Sequence, residues 1–269
     1  MKNDFLQMYS NLKIHIEEAD RVKVWPYWEE IVSVYPGNRL YLVTEGTATL
    51  QLKNKTILLE PGYLYFIPAF SVVGGKCDIF DHYFCHFTIG GSFSHITQFI
   101  DFNHKVSANE TDSQLFKQIV QSFPSDTLQK VLQAEGSFKI LFSRFFKQVN
   151  SINPQKLRFL NILNYIDKNY NKNISLIDLA NEACLNEKYF CKLFKEYFEL
   201  SPWQYVLQTR LNKASAMLFD NNFNIKEIAF AVGFEDEFYF SRIFKKQFGM
   251  SPSEYKTQIK KMYEIYSHK

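Results

Sequence analysis

The stretch that decides the fold is Tyr189–Tyr205, YFCKLFKEYFELSPWQY, because it returns as Tyr239–Tyr255, YFSRIFKKQFGMSPSEY. Eight of the seventeen aligned positions are identical. Upstream, Leu179-Ala180 aligns with Ile228-Ala229 after a shift of one residue. Self-similarity of this kind indicates one supersecondary unit that is used twice.

Each copy has the pattern of two short helices joined by a tight turn. The first helices are predicted at Leu176–Ala183 and Ile225–Val232, where apolar residues recur at helical spacing. The second helices are predicted at about Glu187–Tyr197 and about Glu237–Gln247, each with two phenylalanines four residues apart on the buried face. This arrangement is typical of a helix-turn-helix motif.

The residues around these helices agree with that interpretation. Gly233 stands where the turn of the second copy needs a positive φ, whereas the first copy has Cys184. Ser201 and Ser251 are placed to cap a further helix, with proline at its first position. The helix from Trp203 to about Phe219 would join the two copies and space them for adjacent major-groove segments on one face of DNA.

The predicted second helices carry basic side chains opposite their phenylalanines. These are Lys188, Lys192 and Lys195 in the first copy and Arg242, Lys245 and Lys246 in the second. A helix fits the DNA major groove, where arginine bonds guanine and lysine neutralises phosphate. Residues 1–155 carry 14 Lys+Arg against 15 Asp+Glu, a net of −1, whereas residues 156–269 carry 17 against 13, a net of +4. The alternative is a repeated packing module with basic, solvated faces.

The first hundred residues have a different pattern, with short apolar strands from about Trp25 to Ser107. Asn54-Lys55 predicts a hairpin between two of these strands. Glu60-Pro61-Gly62 predicts a turn in which the glycine takes a positive φ. Many short strands with regular turns indicate a barrel or a sandwich.

Residues 111–150 change to helical spacing, in the apolar runs Leu115–Phe123 and Phe138–Val149. Two interpretations are open: the helices cover the barrel as part of its core, or they form a dimer interface. Asn150–Pro154 is polar, ends in a helix breaker and is the best linker candidate.

The composition narrows the class of protein. With 269 residues, 46% hydrophobic and 22% charged, the chain has the material for two folded domains. No apolar run approaches the roughly 20 residues of a membrane span, and the first twenty residues lack a secretory signal pattern. The four cysteines show no CxxC spacing, which favours reduced thiols in the cytoplasm.

Residues from about 157 to 260 resemble the C-terminal DNA-binding domain of the AraC/XylS family of bacterial transcription regulators. The resemblance is carried by Asn224–Tyr255, NIKEIAFAVGFEDEFYFSRIFKKQFGMSPSEY, and by the preceding pattern Arg210-Leu211-x-x-Ala214-x-x-x-Leu218. It implies double-stranded DNA with promoter half-sites as partner, a homodimer, contact with RNA polymerase and activation of transcription. The implied base-facing residues are Lys188, Cys191 and Lys192 in the first copy and Phe238, Ser241 and Arg242 in the second, with Lys195, Lys245 and Lys246 as further DNA contacts.

Two features depart from the family pattern. Cys191 is a poor hydrogen-bonding residue for reading a base. The second recognition helix opens with Glu235-Asp236-Glu237, which favours a helix N-terminus but repels phosphate. Either the second unit inserts less deeply, or these acids read a cytosine amino group.

The strand-rich half resembles, more loosely, the cupin-like sensor domain of many members of this family. The resemblance is carried by Arg39–Gly46, Leu59–Leu64, Phe66–Pro68 and His86-Phe87. It implies a small effector, such as a sugar, inside the barrel, and Arg39, Tyr41, Trp28 and Tyr65 are the candidate ligand residues. His82 and His86 share a strand face, but no third metal ligand is evident, so structural histidines are favoured and no cofactor or metal is predicted.

Together these observations predict an α+β protein with a cupin-like β-barrel and following helices, then an all-α domain with two helix-turn-helix motifs. The predicted segments are a ligand-sensing domain at 1–110, dimerisation or linker helices at 111–150, and a DNA-binding domain at 151–269. The predicted function is sequence-specific transcription regulation in response to a small effector, not catalysis. A cupin-type metal enzyme with an accessory helical domain and a protein-interaction scaffold are the competing hypotheses.

Overall fold

The computed structural model describes residues 12–24, 35–52, 55–90, 95–146, 154–219 and 222–267. The chain divides into two compact units, 1–150 and 151–269. The first is an antiparallel sheet with helices and the second is helical, which confirms the predicted α+β class. Across the described ranges, no helix is both long and apolar enough to cross a bilayer.

The first unit is built on one antiparallel sheet. Its strands are β1 (Lys13–Val24), β2 (Asn38–Leu52), β3 (Thr56–Leu59), β4 (Tyr63–Ile67), β5 (Val72–Gly90) and β6 (Lys105–Ser107). They pair in the order β1-β5-β2-β4-β6, and β3 pairs with the far end of β2. The long strands β2 and β5 therefore form the centre of the sheet.

Two of the turns that connect these strands agree with the sequence prediction. β2 and β3 pair antiparallel from Ala48 opposite Leu59 to Gln51 opposite Thr56, as the hairpin at Asn54-Lys55 requires, although Asn54 itself lies outside the described residues. Gly62 has a φ of 84°, the left-handed value expected after Pro61.

Helices cover one face of the sheet. They are α2 (Glu110–Gln121) and α3 (Leu128–Ser143), and a short helix, α1 (Ile96–Phe99), precedes β6. Their buried side chains include Phe116, Ile119, Phe138, Leu141 and Phe142, which join a single core with the leucines and phenylalanines of β2, β4 and β5. The apolar stripes predicted within 115–123 and 138–146 thus belong to this core or pack against it, whereas Val149 lies outside the described residues.

An ion pair between the buried Asp112 and the exposed Arg144 ties the two longer helices to the sheet. Asp112, which is 3% exposed, also completes the capping box of α2 with Asn109. Arg144, just beyond α3, donates to the Asp112 carboxylate and, through Nη2, to the Ser107 carbonyl at 3.1 Å. The three polar contacts link the end of β6 with both helices.

The second unit consists of seven helices within the described residues. They are α4 (Pro154–Asn169), α5 (Leu176–Glu182), α6 (Glu187–Phe198), α7 (Pro202–Met217), α8 (Ile225–Ala231), α9 (Glu237–Phe248) and α10 (Pro252–Ser267). The predicted helix bounds are confirmed to within two residues. Ser201 accepts from the Gln204 amide and forms a capping box, and Ser251 does the same with Glu254.

The two copies of the repeat have the same core geometry. Phe190 and Phe194 have ring centroids 5.6 Å apart, and the corresponding Phe240 and Phe244 are 5.5 Å apart. The second ring of each pair meets a tyrosine of the following helix, at 5.5 Å in the first copy and 5.4 Å in the second. The order of buried, half-buried and exposed positions is also identical in residues 190–200 and 240–250. The repeat in sequence is therefore a repeat in packing.

Candidate nucleic-acid interface

The turns that precede α6 and α9 have the same backbone in both copies. Cys184 and Gly233 occupy the equivalent positions with φ values of 53° and 91°. In each turn the next amide donates back to an alanine carbonyl, from Leu185 to Ala180 at 3.0 Å and from Phe234 to Ala229 at 2.9 Å. The turn predicted for the second copy therefore also occurs in the first, despite the missing glycine.

The predicted DNA-contacting residues lie on one face of α6 and one face of α9. At corresponding positions stand Lys188 and Phe238, Cys191 and Ser241, Lys192 and Arg242, and Lys195 and Lys245. The four positions of each helix follow the spacing i, i+3, i+4 and i+7, which places them on a single helix face. Lys246 corresponds to Glu196, so it is an additional cation of the second copy.

These faces are open to solvent. Lys188, Lys192, Lys195, Arg242, Lys245 and Lys246 are all exposed, and within the described ranges none of them forms a salt bridge. Phe238 is 77% exposed, an unusual position for a large aromatic ring. A solvated cationic face with an exposed ring suits contact with phosphates and with a thymine methyl group.

Cys191 and Ser241 are only half-buried because they lie at the edges of these faces. The Cys191 side chain borders a small apolar pocket formed with Leu179, Pro202 and Trp203. Cys191 therefore has the apolar surroundings of a packing residue, which agrees with the weak hydrogen-bonding capacity of its thiol.

The acidic residues at the start of α9 have specific structural roles. Asp236 is the N-cap of α9, and its carboxylate accepts a hydrogen bond from the Tyr239 amide at 2.5 Å. Asn186 caps α6 in the same way, at 3.0 Å from the Tyr189 amide. That Asp236 and Asn186 are equivalent N-caps was not recognised from the sequence. The sequence signal for such a cap is an Asp or Asn whose side-chain oxygen can accept from the amide three residues ahead.

Three of the four candidate effector residues lie together on the sheet face opposite the helices. Arg39, Tyr41 and Tyr65 are 1%, 3% and 1% exposed, respectively. Tyr41 is the direct cross-strand partner of Tyr65, and Arg39 that of His86. Trp28 lies outside the described residues.

Arg39 and Tyr65 of this face form hydrogen bonds with backbone groups of the protein. Arg39 donates through Nη2 to the Tyr35 carbonyl at 3.0 Å, and its guanidinium lies 5.2 Å from the Tyr35 ring. The Tyr65 hydroxyl accepts a hydrogen bond from the Glu60 amide at 2.9 Å. Burial raises the pKa of the Tyr41 hydroxyl, so this side chain is a neutral phenol at physiological pH.

The two histidines of β5 are packed among aromatic rings. His82 stacks on Phe80 at 4.2 Å between ring centroids. His86 stacks on Tyr35 at 4.0 Å, and its Nδ1 lies 3.4 Å from a carboxylate oxygen of Glu18. Burial lowers the pKa of His86, although Glu18 acts in the opposite direction. Over the part of the chain that the structure describes, no group of three or more His, Cys, Asp or Glu residues could hold a metal ion.

Comparison with known proteins agrees with this geometry. Residues 179–258 match the family described as a helix-turn-helix domain. The chain is 24% identical to the lactose operon transcription activator of Staphylococcus xylosus, over 76% of this chain and 78% of that protein. It is 25% identical to the probable transcriptional regulator LumQ of Photobacterium leiognathi, over 82% and 87% of the two chains.

The fold of the whole chain is also found among solved structures. A structure of ToxT from Vibrio cholerae aligns with 92% of this chain over 98% of its own length, with a TM-score of 0.58 and 15% sequence identity. At this level of identity the similarity shows the fold alone. The fold and the matching helix-turn-helix domain together define a DNA-binding transcription regulator. Within that class, the match and these relatives agree with the resemblance of the chain to the AraC/XylS family.

Proposed function

We propose that both helix pairs, α5–α6 and α8–α9, act as helix-turn-helix motifs that bind successive major-groove segments of a promoter. One observation carries this proposal: the two copies present equivalent positions on equally exposed faces of α6 and α9. Nine residues form the proposed interface, namely Lys188, Cys191, Lys192, Lys195, Phe238, Ser241, Arg242, Lys245 and Lys246. The helical segment 151–269 is the DNA-binding domain of the proposal.

Within this interface the residues have different tasks. Arg242 reads a base, because its guanidinium can bond guanine in bidentate fashion and because it stands one helical turn after Phe238. Phe238 makes apolar contact with a thymine methyl group. Lys195 and Lys245, one further turn along each helix, contact phosphate.

We propose that residues 1–110, within the first unit, form a cupin-like effector domain. The effector site is the sheet face that carries Arg39, Tyr41 and Tyr65, together with Trp28. Buried aromatic rings with a charged group suit a small polar molecule such as a sugar. Relatives named for the raffinose operon of Pediococcus pentosaceus and the melibiose operon of Escherichia coli support a sugar, whereas ToxT has been solved with an unsaturated fatty acid.

We further propose that α2 and α3, within 111–150, form a homodimer interface on the side away from the core. Leu128, Leu132 and Ile140 of α3 are 74%, 61% and 54% exposed. They follow one another at multiples of four residues, and Gly136, between them, has open space around it. A second copy of the chain would bury this stripe. We also propose that the protein is a cytoplasmic activator of transcription that contacts RNA polymerase.

The function is tested by capturing genomic DNA with the purified full-length chain and titrating the recovered fragments by fluorescence anisotropy. Specific, saturable binding with a steep salt dependence is expected, since each lysine–phosphate contact contributes about −0.9 to the slope of log K against log salt. Absent or salt-insensitive binding would support the scaffold hypothesis. Addition of candidate sugars, with a fatty acid as comparison, then tests the effector by its change in affinity for the same fragment.

A further inference from the structure

Arg210 connects the two halves of the helical unit through three backbone carbonyls. It lies in the middle of α7 and is 8% exposed. Its Nε donates to the Tyr170 carbonyl at 2.7 Å and its Nη2 to the Lys172 carbonyl at 2.9 Å. Its Nη1 donates to the Gly233 carbonyl at 2.7 Å. One guanidinium thus joins the segment between α4 and α5 to the turn between α8 and α9.

The chemistry of the guanidinium fits this task. Arginine presents its donors in a rigid planar fork, so three carbonyls bound to it have a fixed mutual arrangement. The Tyr170 and Lys172 carbonyls follow the last turn of α4, where helix carbonyls lack partners within the helix. Burial lowers the pKa of Arg210, whereas the charge of Glu235 acts to raise it. The side chain remains cationic, because the ordinary pKa of arginine lies far above physiological pH.

A direct contact accompanies these hydrogen bonds. A Cβ placed on Gly233 would lie 2.8 Å from Cα and 2.9 Å from the carbonyl oxygen of Asn171. The turn of the second helix pair therefore touches the segment that precedes the first pair at the point where Arg210 binds both. Phe234, the next residue, lies with its ring 5.9 Å from the same guanidinium.

From these contacts we propose that Arg210 is a positioning residue that sets the spacing and angle between the recognition helices α6 and α9. The proposal rests on the function proposed above, in which both helices bind DNA. Each pair has its own aromatic core, so we expect each to fold without Arg210. The loss of Arg210 would therefore leave two intact motifs whose mutual geometry is no longer held. Two linked motifs gain affinity from each other only when their geometry permits simultaneous binding.

The test uses full-length protein with three DNA probes: the complete site, the site with one half scrambled, and the complete site with two base pairs inserted between the halves. Arg210→Gln is expected to lower affinity for the complete site tenfold or more, to change half-site affinity less than twofold, and to reduce the penalty of the insertion. Equal losses on complete and half sites, or no loss, would overturn the proposal.

A matched variant separates positioning from general destabilisation. Val206→Ala truncates a side chain on the same helix that is 1% exposed and makes none of the three carbonyl contacts. It is expected to lower the melting temperature while it keeps the ratio of complete-site to half-site affinity. Arg210→Lys keeps the charge but loses the fork, and it is expected to behave like Arg210→Gln.

A second measurement does not depend on DNA. Nitroxide labels at Cys184, which is exposed, and at Phe238→Cys, in a Cys191→Ser background, report the distance between the two motifs by pulsed electron resonance. A narrow distribution is expected in this parent, and a broad one after Arg210→Gln. If the wild-type chain binds no DNA, the proposed function fails, while an unchanged distribution in the Arg210→Gln protein contradicts the role of Arg210.

Discussion

Cys184 and Gly233 hold the same place in the two turns, and both have a left-handed backbone, with φ values of 53° and 91°. Their surroundings differ. Cys184 is exposed, whereas the space beside Gly233 is filled by the backbone of Asn171. The first position therefore tolerates a side chain and the second does not. At the next αL pair of the repeat, Glu199 and Gly249 at the ends of α6 and α9, both positions have room for a side chain.

Gly233→Ala is expected to destabilise the helical unit by clearly more than the roughly 1–2 kcal/mol that a left-handed residue costs by itself. The added Cβ would lie 2.8 Å from the Asn171 backbone, so the turn must also shift. Urea unfolding followed by Trp203 fluorescence, in a chain with Trp25→Phe and Trp28→Phe, measures the free energy.

Gly249→Ala is the matched control for this prediction. Gly249 has a similar φ of 78°, but a Cβ there would meet no atom within 4 Å. Its loss should therefore be limited to the conformational cost of about 1–2 kcal/mol. Equal losses for the two variants would show that the Asn171 contact contributes nothing.

Arg242→Ala is expected to weaken binding to the specific site by about 1–3 kcal/mol and to relax the preference for one base pair. The physical reason is the loss of a bidentate contact that only guanine can offer at that position. Anisotropy titrations against the complete site and against single-base variants measure both effects. Unchanged specific affinity would remove Arg242 from the base-reading residues.

Lys195→Ala and Lys245→Ala are expected to act differently from Arg242→Ala. Each should weaken binding to all sequences by a similar factor and should reduce the salt slope by about one, because phosphate contacts carry no sequence information. Competition between specific and unrelated duplexes at several salt concentrations distinguishes the two classes. A sequence-dependent loss in either lysine variant would assign that lysine to base reading instead.

The stability of the sheet unit is expected to fall as the pH drops below about 6.5, the ordinary value for histidine. Burial lowers the pKa of His86 in the folded state, so the unfolded chain takes up a proton first and acid favours unfolding. The loss continues until the pH passes the lowered pKa of the folded state. Unfolding titrations between pH 7.5 and about 4.5 measure this slope.

The stability of the His86→Gln variant should depend less steeply on pH than that of the parent, because glutamine at position 86 does not titrate. His15→Gln is the control, since His15 is exposed on β1 and its replacement should leave the slope unchanged. An identical slope for parent and His86→Gln would show that other groups, such as His104, whose pKa is also lowered by burial, dominate.

Leu132→Asp is expected to dissociate the proposed homodimer, because it places a charge in the middle of the exposed stripe of α3. Sedimentation velocity measures the change in mass. Leu58→Asp on β3 is the control, since Leu58 is 51% exposed and stands apart from that stripe, so it should leave the mass unchanged. A wild-type chain that is monomeric at all concentrations would contradict the dimer itself.

Much of the local structure followed from short-range patterns. Ser201 predicts a cap because a hydroxyl at that position can accept from an amide three residues ahead. Gly233 predicts a turn because glycine adopts a positive φ without steric cost. Such interactions lie within four residues along the chain, and so they are visible in the sequence.

Other features were not visible because they depend on distant segments. The positive φ of Cys184 is imposed by packing around the turn, against the preference of the residue itself. The partners of Arg210 lie 40, 38 and 23 residues away in the chain. The hydroxyl of Tyr65 is engaged by Glu60, which a strand pattern alone does not reveal.

The amino-acid sequence alone determined the duplicated helix pair, the helix limits, the strand-rich first half and the basic face of each recognition helix. All of these follow from periodicity, capping and charge, which act over a few residues. Tertiary structure decided that the stripes of α2 and α3 lie in the core, that Arg39 and Tyr41 are buried side by side, and that one guanidinium joins both motifs. Those outcomes depend on which distant segments meet, because burial and shared hydrogen bonds exist only once the chain has folded.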